Sequence, residues 1–110
     1  MRQRLALGEQ RLDWVGSSKR DFLAFPSPVQ REIGNALGLA QFGGKHPNAK
    51  PWKGEGPGVF EVVDDFDGDT WRAVYTVRFR HVVYVLHAFQ KKRRAAREPR
   101  AAISNSLRAG

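Results

Sequence analysis

The chain has 110 residues, of which 41% are hydrophobic and 11% aromatic, the make-up of one globular domain and not of a disordered chain. It contains no cysteine, which excludes disulfides, thiol catalysis and thiolate metal sites, and no apolar run reaches membrane-spanning length. The net charge of +8 is uneven: residues 1–90 hold twelve Lys/Arg against ten Asp/Glu, whereas residues 91–110 hold seven against one, Glu98, an asymmetry that suits a polyanionic partner.

The first stretch, MRQRLALGEQR, lacks the apolar core and small-residue cleavage site of a signal peptide and reads as an extension over residues 1–11; a cytoplasmic protein is expected. LDWVG, residues 12–16, reads as a short strand. Ser17 and Ser18 are placed to cap a short helix over Lys19–Phe25, with Asp21 in its first turn and Pro26 ending it. Ser27 starts a second helix, with Pro28 at its first position and Gln30 completing a Ser-x-x-Gln capping box. Val29, Ile33, Leu37 and Ala40 form its apolar face, and Gly43-Gly44 ends it. Gly34 and Gly38, four apart, mark a side where another backbone is expected to approach.

Residues 45–58 read as a loop dense in Pro and Gly, carrying Lys45, His46, Lys50, Trp52 and Lys53. Three β-rich runs follow: VFEVVDDF, DTWRAVYTVRF and HVVYVLHAF. Asp67-Gly68 between the first two is a type I′ hairpin signal. The expected domain is therefore α+β: an antiparallel meander of three strands, preceded by a strand and a helical hairpin, with the helices packed on one sheet face. A basic tail or short helix completes the chain over 93–110. Alternation places Arg72 and Arg78 on one face of the middle strand and groups Val83, Val85, His87 and Phe89 in the last. Whether His87 joins the arginines depends on register.

Other chemistries find little support. EVVDDFDGD has the wrong glycine and glutamate positions for a calcium loop. The three histidines, His46, His81 and His87, lack metal-ligand spacing. GEGPG precedes a strand and so lacks the context of a phosphate loop, and there is no nucleophile elbow. What remains is a set of cations: Lys50 and Lys53 in the loop, Arg72 and Arg78 on a strand, Lys91, Lys92, Arg93 and Arg94 beyond the last strand. Trp52 beside Lys53 offers a stacking surface for an unpaired base.

WVGSSKRDF, REIGNALGLAQFGGKHPNAKP, GDTWRAVYTVRF and above all VYVLHAFQKK resemble the phage-derived, HigB-like branch of the RelE/ParE toxin superfamily, over about residues 12–92. The resemblance implies a RelE-like fold over residues 12–92, with two N-terminal helices packed on a curved antiparallel sheet of about four strands. It also implies a toxin of a type II toxin–antitoxin pair, neutralised by a cognate antitoxin that is often helix-turn-helix. RelE- and HigB-type members cleave messenger RNA on the ribosome, without a metal or other cofactor. ParE-type members share the fold and inhibit gyrase, so a non-catalytic gyrase inhibitor, or a phage nucleic-acid-binding module, is the alternative. Carried onto this chain, the resemblance implies Arg72, Lys91 and Lys92 near the scissile phosphate, with His87 or one of the lysines as the candidate for proton transfer. Lys50, Trp52, Lys53, Arg78, Arg93 and Arg94 would hold the RNA. RRAAREPRAAISNSLRAG departs from the amphipathic C-terminal helix of that family and lacks the tyrosine some members use.

Overall fold

The computed structural model describes residues 8–92. Its elements are β1 (Arg11–Trp14), α1 (Ser18–Leu23), α2 (Ser27–Gln41), β2 (Ala49–Pro51), β3 (Val59–Phe66), β4 (Asp69–Thr76) and β5 (Val82–Lys91). They form one sheet in the order β1-β5-β4-β3-β2. β2 to β5 pair antiparallel, whereas β1 runs parallel to β5.

The expected four-stranded antiparallel sheet behind two N-terminal helices is thus corrected. The sheet has five strands and is mixed: the strand expected from LDWVG forms ahead of the helices, at Arg11–Trp14, but it pairs parallel. Two physical reasons account for the difference. β2 is three residues long and lies in a Pro- and Gly-rich stretch, too short to show alternation. The direction of β1 is set by its partner β5, some seventy residues later, and no local pattern encodes it. The α+β class holds in outline. The basic tail, with Arg93 and Arg94, lies outside the described residues.

Helix α1 packs chiefly on β5, and α2 chiefly on β3. Val29, Ile33, Ala36, Leu37 and Ala40 bury the inner face of α2. Ile33 and Leu37 are almost fully buried, worth roughly 1.5–3 kcal/mol each. They meet Val62, Ala73, Tyr75, Val83 and Val85 from the sheet. Trp14, Phe22, Phe25 and Trp71 continue this core as a chain of ring contacts with centroids 5.1–5.8 Å apart.

Two local expectations fail. The capping box does not form. Gln30 Nε2 instead donates to the carbonyls of Leu23 and Phe25, tying α2 back to the end of α1. Gly34 and Gly38 have open space where a side chain would stand, so no backbone approaches them.

Two features of the sheet decide where the chemistry can sit. Asp67 and Gly68 both adopt positive φ, at 55° and 85°, as a type I′ turn requires, and the turn fixes the β3–β4 register. A bulge then interrupts β4–β5: Val74 pairs with His87 but Tyr75 pairs with Val85, which leaves Leu86 as the extra residue. Val83 and Val85 therefore face the helices, while His87, Phe89 and Lys91 face the other way. Strict alternation had grouped the first pair with His87 and Phe89, and the bulge separates them.

Candidate active site on the helix-free sheet face

On the face away from the helices, Lys50, Glu61, Val74 and His87 stand in one row across β2, β3, β4 and β5. The next row holds Val63, Arg72 and Phe89, and the one beyond it Asp65, Thr70 and Lys91. The backbones bearing Glu61 and His87 are two interstrand spacings apart, about 10 Å.

Glu61 is 4% exposed and lies among strand residues. Its charge is met by Arg72, whose Nη1 donates to Oε2 at 2.7 Å and to Oε1 at 3.1 Å. This is the diagonal contact that neighbouring strands allow. Arg72 Nε is buried and has no hydrogen-bond partner.

The loop after β2 bends across this face from one edge towards β5. The Trp52 N–H donates to the Val59 carbonyl, and the Trp52 ring meets Phe89 edge-on at 6.5 Å. Glu55 brings a carboxylate to 3.5 Å from His87 Nε2. Gly54, Gly56 and Gly58 all take positive φ. Gly58 packs so tightly on the Arg78 side chain that a Cβ would run into its Cγ. The loop explains why Val59 and Val74 are buried although no helix covers them.

The sequence-predicted residues separate into groups. Arg72, His87 and Lys91 share the face, as do Lys50 and the ring of Phe89. Lys92 is exposed just past β5, and Lys53 is exposed in the loop. Arg78 lies beyond β4, where its backbone N–H and Nε donate to the Thr76 hydroxyl at 3.2 and 3.4 Å. Trp52 anchors the loop on Phe89. Arg93 and Arg94 lie outside the described residues.

Glu61 has no role in the sequence reading, which takes VFEVVDDF as a strand and EVVDDFDGD as a failed calcium loop. The signal was present. With the Asp67-Gly68 turn fixing the register, Arg72 falls opposite Val63, and Glu61 is its same-face neighbour.

His46 is a structural residue. Its Nδ1 accepts the Asn48 N–H at 3.0 Å, so Nε2 carries the hydrogen and donates to Glu32 at 2.8 Å. Among the described residues no three His, Asp or Glu side chains cluster as a metal site, and no helix is long and apolar enough to cross a membrane.

Residues 20–108 match the family described as phage-derived protein Gp49-like (DUF891). Neither the curated proteins nor the solved structures contain a match to the chain.

Proposed function

The chain belongs to the phage-derived Gp49-like family, and from that footing we propose that it is a toxin that cuts messenger RNA on the ribosome by internal attack of the RNA 2′-hydroxyl. The observation that carries this reading is the shared face of Glu61, Arg72 and His87. A carboxylate and an imidazole stand on either side of Val74, and a guanidinium lies diagonally between them.

Each group has a role in that reaction. Glu61 takes the proton of the 2′-hydroxyl as its oxygen bonds to phosphorus. Protonated His87 gives a proton to the departing 5′-oxygen as the P–O5′ bond breaks. The products are a 2′,3′-cyclic phosphate and a free 5′-hydroxyl, and the protonation states of the pair are exchanged. Arg72 stabilises the charge that builds on the phosphorane, through donors fixed before the reaction starts. Lys50 and Lys91 flank the row and attract the backbone without reading its sequence. Lys53, Lys92 and the basic tail extend that field. The ribosome would supply the positioning that a small open face lacks. A cognate antitoxin, as the RelE/ParE resemblance implies, would restrain the activity.

Mapping of RNA 5′ ends in cells producing the protein tests the proposal. New ends within translated codons, absent with Glu61→Gln or His87→Ala, are expected. Intact messages together with a DNA-damage response would replace the cleavage reading with gyrase inhibition.

A further inference from the structure

β1 ends opposite Val85, so β5 runs on from there without a β-strand partner on that side. A cleft of about 360 Å³ opens at this place. The start of α1 contributes Ser17, Ser18 and Asp21 to it, and Trp52 and the β5 residues 86–89 complete it.

The polar wall has one chemical character. The Ser17 hydroxyl donates to Asp21 Oδ2 at 2.8 Å, and the Ser18 hydroxyl donates to the Val85 carbonyl at 3.0 Å. Both hydroxyl hydrogens are committed and Ser18 is buried, so Ser17 and Asp21 present only acceptor oxygens to a ligand. Asp21 Oδ1 has Arg20 Nε at 3.9 Å, too far for a hydrogen bond. A molecule that suits the cleft must bring N–H donors to this wall and a flat apolar face to Trp52 and Phe89. His87 lines the cleft and also belongs to the Glu61–Val74–His87 row.

We propose that this cleft binds a guanine base of the RNA next to the cut, with Asp21 as the residue that selects it. The inference rests on the cleavage reading for its biological setting. Guanine alone among the four RNA bases carries two adjacent donors, N1–H and the 2-amino group, and a carboxylate accepts both side by side. Adenine and cytosine set a ring acceptor beside their amino group. Uracil flanks its single N–H with two carbonyls, which would face the Asp21 oxygens.

The test is equilibrium titration of the intact protein with the four 3′-nucleoside monophosphates, followed by amide chemical shifts. This measurement needs no cleavage. The guanine nucleotide is expected to bind at least about tenfold more tightly than the other three, a preference that Asp21→Asn removes. Trp52→Ala is expected to weaken all four by about tenfold. Equal binding of the four nucleotides, or a guanine preference that survives in Asp21→Asn, overturns the proposal. Selective binding in a protein that leaves messages intact would keep the subsite and discard the nuclease. Cut messages with equal nucleotide binding would do the reverse.

Discussion

Arg72 holds Glu61 with a single nitrogen: Nη1 reaches both carboxylate oxygens, at 2.7 and 3.1 Å, while Nε stays buried without a partner. The guanidinium is therefore anchored but not saturated. The same geometry makes the two residues unequal targets for mutation.

Arg72→Ala leaves a carboxylate buried with no counter-charge, so a loss of about 3–5 kcal/mol in urea unfolding is expected. Glu61→Gln keeps an acceptor for Nη1 and removes the charge, and about 1–3 kcal/mol is expected. Loss of toxicity in Arg72→Ala alone would thus report folding as much as chemistry. An Arg72→Ala protein as stable as the parent would show that the ion pair does not hold this face together.

His87 separates chemistry from stability more cleanly, because its side chain is 55% exposed. His87→Ala is expected to change unfolding free energy by less than about 0.5 kcal/mol. It should lower the cleavage rate about 10²- to 10⁴-fold, the usual range for a lost proton donor. Ribosome-bound message, incubated with each protein and read by primer extension, provides the rate. Unchanged cleavage would remove His87 from the mechanism.

Glu55 Oε2 lies 3.5 Å from His87 Nε2, so on the cleavage reading its carboxylate would compete with an RNA phosphate for that imidazole. Glu55→Gln is expected to tighten binding of a short uncleavable RNA a few-fold, in line with an exposed pair worth about 0.2–1 kcal/mol. The gain should shrink as salt is raised. Filter binding at two salt concentrations measures it, and weaker binding by the variant would mean that Glu55 helps to hold the RNA.

Gly58 combines a φ of +81° with close packing on Arg78. Gly58→Ala is expected to cost about 1–3 kcal/mol through backbone strain and displacement of the arginine. Gly54 and Gly68, which have open space around them, should suffer from φ alone. Thermal unfolding of the three alanine variants would give the ranking.

Asp64 gives a pH signature away from the site. Burial raises its pKa first, nearby Glu32 and Asp65 add to the rise, and His46 opposes it. The folded protein therefore holds the Asp64 proton more tightly than the unfolded chain does. That contribution is full below the ordinary carboxylate range and is lost as pH rises through the raised folded value. At neutral pH the ionised group costs stability. Asp64→Asn should gain a few tenths of a kcal/mol at pH 7 and nothing near pH 3. An equal gain at both pH values would point to packing instead of charge.

The legible parts of this molecule are those whose determinants lie close together in sequence. Pro28 and the Val29–Ile33–Leu37 spacing specify α2, and Asp67-Gly68 specifies a hairpin together with its register. From that register the Arg72–Glu61 neighbourhood follows. The unread parts depend on distant partners. β2 exists because Ala49–Pro51 has β3 to pair with, and β1 takes its direction from β5. Leu86 looks like any other residue of an apolar strand, and only pairing with β4 shows that it is the extra one. The approach of Glu55 to His87 likewise depends on how a glycine-rich loop falls across the sheet.

The extra residue at Leu86 divides one strand into two stretches with separate duties. Val82–Val85 answers to the interior and tolerates little. In His87–Lys91 the outward side chains, His87, Phe89 and Lys91, answer to whatever the protein grips, while Ala88 between them still belongs to the core. A lineage under pressure to change its target, or to escape an inhibitor, has in those outward positions a place to vary while the scaffold stays intact.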